Sequence, residues 1–105
     1  MRIAVLRSGR ELKYEGSFSL EEFRDSISDY SDEELFDAYM VLLYICLTIR
    51  REQSNRDFNW WRWRSISVEE KLGHDKIEQL KTTEGLHSLK EQKVFAHHMI
   101  DEFWR

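Results

Sequence analysis

Ten consecutive apolar residues, Ala38 to Leu47, lie inside a segment whose apolar positions recur at helical spacing. One row runs Leu35, Tyr39, Leu42, Cys46 and Ile49, and its neighbour runs Phe36, Met40, Leu43 and Leu47, with Val41 and Ile45 filling much of the remainder. A helix carrying both rows keeps no polar stripe for water, so it must be enclosed by the rest of its domain or by a second copy. A bilayer span needs about 20 apolar residues, so the segment reads as a buried core helix and no membrane partner is expected.

What could enclose it is set by the remainder of the chain. The 105 residues and 12.8 kDa amount to a single domain, 1–105. Leu, Ile, Val and Phe make up 28 of them, above the roughly 20% below which a chain stays disordered. Charged residues reach 34% and proline is absent, a combination that favours helices. The net charge of -4 argues against a general nucleic-acid coat or a polybasic membrane binder. A lone cysteine, Cys46, allows no intramolecular disulfide, and the opening MRIAVLRSGRE turns to charge too early for a signal peptide. The expectation is a cytoplasmic protein.

Local signals place the other elements. Arg7-Ser8-Gly9-Arg10 reads as the turn of a β-hairpin over about 2–15. A two-residue Ser8-Gly9 loop sets Val5 opposite Leu12 and Ile3 opposite Tyr14 on one face, with Arg2 opposite Glu15 on the other. Ser19-x-x-Glu22 and Ser31-x-x-Glu34 have capping-box spacing and open helices over about 20–27 and 32–52. Gln53 to Asn59 reads as a polar loop, and Trp60-Trp61-Arg62-Trp63-Arg64 as either an aromatic strand within 58–64 or part of a turn. Ser67-x-x-Glu70 opens a helix over about 68–81 with a thin stripe of Val68, Leu72, Ile77 and Leu80, weakened by Gly73. A last helix over about 84–104 buries Leu86, Leu89, Ala96, Met99, Ile100 and Phe103, leaving Phe95 on its polar side. The fold class is α+β: an N-terminal hairpin packed on a small, mostly helical assembly with one central apolar helix.

The residue types that could support catalysis or bind metal are arranged unpromisingly. Glu84, His87, Glu91, His98 and Glu102 share one face of the last helix, and Glu84-x-x-His87 has the spacing used in di-iron bundles, but the second such pair those sites require is missing. The stripe lies opposite the apolar face and reads as solvated; Glu70, His74 and Glu78 read the same way. No metal or cofactor is expected. Cys46 sits among Tyr44, Ile45 and Leu47, where desolvation favours the neutral thiol, and no serine lies in a nucleophile elbow. Gly-rich phosphate loops, paired Cys-x-x-Cys and His-Glu-x-x-His are absent. No catalytic residue is assigned, and none of the motifs carries a family resemblance.

Charge segregation is the most informative feature. Residues 21 to 37 hold Glu21, Glu22, Asp25, Asp29, Asp32, Glu33, Glu34 and Asp37 against Arg24 alone, a local charge of -7. Residues 50 to 64 hold Arg50, Arg51, Arg56, Arg62 and Arg64 against Glu52 and Asp57, a local charge of +3. Helix-dipole complementarity accounts for the charges in end turns and leaves the others over. Trp60, Trp61 and Trp63 with Arg62 and Arg64 are hot-spot residue types, which serve equally as core. The leading reading is a non-enzymatic protein-binding domain of the inhibitor, antitoxin or immunity kind. It would dock Glu21, Glu22, Asp25, Asp29, Asp32 and Glu33 onto a basic patch of a larger partner, with the Arg/Trp segment as a second contact. The alternatives are a nucleic-acid-binding accessory protein using segment 50–64 and a metal-dependent enzyme using the His/Glu stripes. A homodimer is a further expectation, because the central helix needs cover.

Overall fold

The computed structural model describes residues 3–13, 19–52 and 55–100, with the side chains of 47–61 outside the described part. Their order is β1 (Ile3–Val5), β2 (Glu11–Lys13), α1 (Leu20–Ser26), α2 (Asp32–Glu52), α3 (Asn55–Leu72), α4 (His74–Thr83) and α5 (Leu89–Ile100). The class is α+β, an antiparallel hairpin packed against helices.

α2 is the centre. Its capping box closes as the spacing predicts: the Glu34 N–H donates to Ser31 Oγ (3.2 Å) and the Ser31 N–H donates to Glu34 Oε1 (3.0 Å). Leu35, Ala38, Val41, Leu42 and Ile45 enter one cluster with Ala4, Leu6, Leu12, Phe23, Ile27 and Val68. Phe36 and Met40 enter a second with Ile77, Leu86 and Ala96. α3 and α5 provide most of the cover, and Phe95 and Tyr44 pack against both clusters. Within one chain Leu35, Phe36, Met40, Leu42 and Cys46 of the two rows are buried and Tyr39 and Leu43 half-buried, while the side chains of Leu47 and Ile49 lie outside the described part. The described helices include none long and apolar enough to cross a membrane.

The hairpin register differs from the expected one. The pairs are Ile3 with Lys13, Ala4 with Leu12 and Val5 with Glu11. The loop has three residues, not two: the Leu6 N–H donates to Arg10 O and the Gly9 N–H to Leu6 O, with Gly9 at φ 93° supplying the bulge. The slip of one residue puts Ala4 and Leu6, in place of Val5, on the buried face with Leu12 and leaves Val5 half-buried. Tyr14, Glu15 and Arg2 lie outside the described residues.

The later helix boundaries are corrected too, and the polar loop expected over Gln53 to Asn59 gives way to α3 from Asn55 onward. Segment 58–64 is neither strand nor turn but part of α3, which runs through Ser67. There the Ser67 hydroxyl donates back to Trp63 O (2.9 Å) instead of capping a new helix. The break falls at Gly73, whose φ of 97° separates α3 from α4. α4 ends at Gly85 (φ 71°), where Leu86 N bonds Lys81 O and Gly85 N bonds Thr82 O, a Schellman motif that ends the helix where the sequence reading began the next one. α5 starts afresh with Glu91 N on Ser88 Oγ (3.1 Å). Leu89, expected in the core, is 52% exposed in its first turn, and Phe103 lies outside the described residues.

The register is directly testable. Ala4→Asn puts an amide without partners into the core and is expected to cost at least about 2 kcal/mol in urea unfolding, whereas Val5→Asn costs about half that or less. The reverse order would restore the two-residue loop.

Candidate functional site

The acidic segment folds into α1, the link after it and the first turns of α2, and the hairpin turn binds part of it. Asp37, on the otherwise apolar α2, is buried with its side chain 2% exposed. Its carboxylate accepts from the Arg7 backbone N–H (3.1 Å) and from Arg7 Nε (3.0 Å), and Arg7 Nη2 lies 2.9 Å from Oδ1. The hydrogen bond to Asp37 drives the Arg7 guanidinium to still higher basicity, so it stays charged. Arg7 also reaches Glu84 (2.9 Å) and lies 4.9 Å from the centre of the Phe95 ring, whose other neighbour is Phe36. Phe95, placed by its spacing on a polar face, is therefore covered from within the chain.

Arg10 makes the second connection. It holds Asp29 through Nη1 (2.7 Å) and Glu34 through Nε (3.0 Å), with its guanidinium 4.6 Å from the Tyr30 ring centre. Ser8 Oγ donates to Glu34 Oε2 (2.8 Å). The hydrogen bond from Arg10 holds the Asp29 carboxyl below its ordinary range; for Glu34 the larger cause is the Ser31 backbone N–H, followed by Ser8. Asp29, Glu34 and Asp37 are thus neutralised internally. Glu22 closes the α1 capping box, accepting from the Ser19 backbone N–H (3.4 Å).

Glu21, Asp25, Asp32 and Glu33 remain. All four are exposed, and they make no ion pair among the described residues. Glu21 lies in the first turn of α1, and Asp32 and Glu33 in that of α2, where the helix dipole favours acids. Asp25 is in the last turn of α1, where the dipole disfavours one.

The basic candidates divide. Arg64 is 3% exposed: it packs on α1 with its guanidinium 5.8 Å from the Phe23 ring, and burial pushes it down to about 10, still cationic at neutral pH. Arg62 and Trp63 face solvent, Trp63 being 56% exposed. The side chains of Trp60, Trp61, Arg50, Arg51 and Arg56 lie outside the described part. Arg24 Nε donates to Ser67 Oγ (3.3 Å), so α1 lies against the stretch of α3 that follows Trp63. The acidic segment and the Arg/Trp segment, separate in the sequence, therefore adjoin where α1 meets α3.

The His/Glu stripes do not form as expected. Glu84 caps α4 and turns to Arg7, His87 is in the link, and only Glu91 and His98 are on α5; Glu102 lies outside the described residues. Gly73 divides Glu70 from His74 and Glu78, and His74 Nδ1 lies 3.3 Å from Glu69 Oε1. No group of three His, Cys, Asp or Glu among the described residues could hold a metal ion. Burial pushes the Cys46 thiol up to about 11, against an opposing hydrogen bond with Ser65. It is not poised as a thiolate.

The sequence reading missed Arg7 and Arg10 as counter-charges and Ser8 as a hydrogen-bond donor to Glu34. The available signal was two arginines flanking a turn in a chain whose next segment is strongly acidic.

Both lowered carboxyls bind protons less readily folded than unfolded. The stability they contribute is present above their ordinary values of 3.8 and 4.5 and is lost as pH falls through their lower folded values. Asp29→Asn with Glu34→Gln is expected to flatten the acid limb of the unfolding midpoint against pH. An unchanged acid limb would mean that Arg10 does not hold Asp29, nor Ser31 and Ser8 hold Glu34, in solution.

Comparison of the chain with family models, with curated proteins and with solved structures finds no match.

Proposed function

We propose that the chain is a non-enzymatic protein-binding domain of the inhibitor, antitoxin or immunity kind, docking an acidic surface onto a basic patch of a larger partner. The supporting observation is the set of exposed acids left after internal pairing: Glu21, Asp25, Asp32 and Glu33. Asp25 weighs most, because its position at the end of α1 is unfavourable for the helix and is kept without a counter-charge among the described residues. Exposed charge of one sign speeds encounter with the opposite sign and rejects like-charged surfaces. Asp29 is exposed as well, but Arg10 already pairs with it. The lone, buried Cys46 suits a reducing compartment, so the proposed site of action is cytoplasmic.

The test is the triple reversal Glu21→Lys, Asp25→Lys and Asp32→Lys, which leaves Asp29, Glu34 and Asp37 intact. Partners captured from host lysate by the wild-type chain are identified by mass spectrometry, and association with the purified partner is then timed. The variant is expected to keep its fold and associate at least about tenfold more slowly, as the wild type does when salt is raised. A folded triple variant that binds the same partner at the wild-type rate overturns the reading.

A further inference from the structure

The second half of α3 shows solvent a face that the acidic-docking reading does not use. Arg64, Ser65, Ser67 and Val68 are its buried side. At about 100° per residue, Arg62, Trp63, Ile66, Glu69 and Glu70 project from the opposite side. Arg62 and Glu70 are exposed, and Ile66 and Glu69 half-buried. Trp63 is the largest exposed apolar side chain among the described residues. Tryptophan and arginine are residue types that carry binding energy when covered.

The order of charges along this face selects the occupant. A cation, Arg62, stands one turn before Ile66, an acid, Glu70, stands one turn after it, and Trp63 and Ile66 provide the apolar ground between them. A second α3 laid parallel in the same register would set like charge against like. Laid antiparallel about a two-fold axis at Ile66, it brings Arg62 of each copy level with Glu70 of the other, sets the two Ile66 side chains together at the centre, and places one Trp63 to either side of them, level with Glu69 of the other copy. We infer that this face is a self-complementary contact for a second copy of the chain, an isologous two-fold interface. It differs from the dimer expected from the sequence, which was to cover α2.

A single helix crossing buries less than the roughly 1,200 Å² at which stable interfaces begin, so the association is weak and depends on concentration. Glu69 lies at the rim, 3.3 Å from His74 Nδ1, whereas Arg24 of α1 meets α3 at Ser67 on its buried side.

Sedimentation velocity over a dilution series from about 1 mM to about 10 μM brackets an interface of this size. The weight-average mass is expected to rise from the 12.8 kDa monomer towards twice that value at the concentrated end. Trp63→Ala, Arg62→Glu and Glu70→Arg, each checked for native circular dichroism, are expected to stay monomeric. The swap Arg62→Glu with Glu70→Arg restores opposite charges across the axis and is expected to recover association. The triple reversal of Glu21, Asp25 and Asp32 leaves it intact, separating this contact from the acidic docking surface. A wild-type mass that stays monomeric throughout overturns the inference, as does self-association that is indifferent to the α3 variants.

Discussion

A carboxylate buried in the second turn of an otherwise apolar helix cannot stay there unpaired, and the placement of Asp37 therefore determines much of this fold. An isolated charge moved out of water costs far more than a small domain's net stability, so the site persists only with a cation and hydrogen bonds supplied to it. Arg7 supplies both from the hairpin turn, through its guanidinium and its backbone N–H. A two-stranded ribbon is marginal by itself, and this one is held by that contact together with the apolar residues Ala4, Leu6 and Leu12. The same guanidinium reaches Glu84 beyond α4 and lies on Phe95 of α5, so one side chain joins the hairpin to three helices.

That arrangement changes the meaning of the acidic segment. In the sequence it is an excess of like charge; in the fold its members have different roles. Asp29, Glu34 and Asp37 meet Arg10 and Arg7 and contribute to the architecture. Glu21, Asp25, Asp32 and Glu33 stay outside this network, and the proposed docking function rests on them. Arg64, grouped in the sequence with Trp63 as a contact residue, is under α1 instead. The Arg/Trp segment thus contributes one residue to packing and two, Arg62 and Trp63, to the surface.

What was legible in the sequence was local. The capping boxes at Ser19 and Ser31 and the all-round apolar pattern of α2 are decided within a few residues of each other, and their elements appear where expected. The Ser67 box failed because the same spacing is harmless inside a helix, where the hydroxyl can bond back to the preceding turn. The real start at Ser88, with Glu91 three residues on, was hidden beneath a helix drawn across it, and Gly85 marked the stop. The hairpin register turned on loop length, and Ser8-Gly9 fits a two-residue or a three-residue loop; burial of Leu6 and the reach of Arg7 to Asp37 settle which. Pairings such as Arg10 with Asp29 and Arg24 with Ser67 join residues distant in the chain, and no local pattern announces them.

The measurement that bears most directly on the central claim is a double-mutant cycle on Arg7 and Asp37, read by equilibrium unfolding at neutral pH. Arg7→Ala is expected to be the more damaging single change, because it leaves a buried carboxylate with little but a backbone N–H. The double variant Arg7→Ala with Asp37→Ala recovers part of that loss, giving a coupling of at least about 1.5 kcal/mol. Effects that add to within about 0.5 kcal/mol would show that the two residues do not depend on one another and would contradict the account of how the hairpin is held.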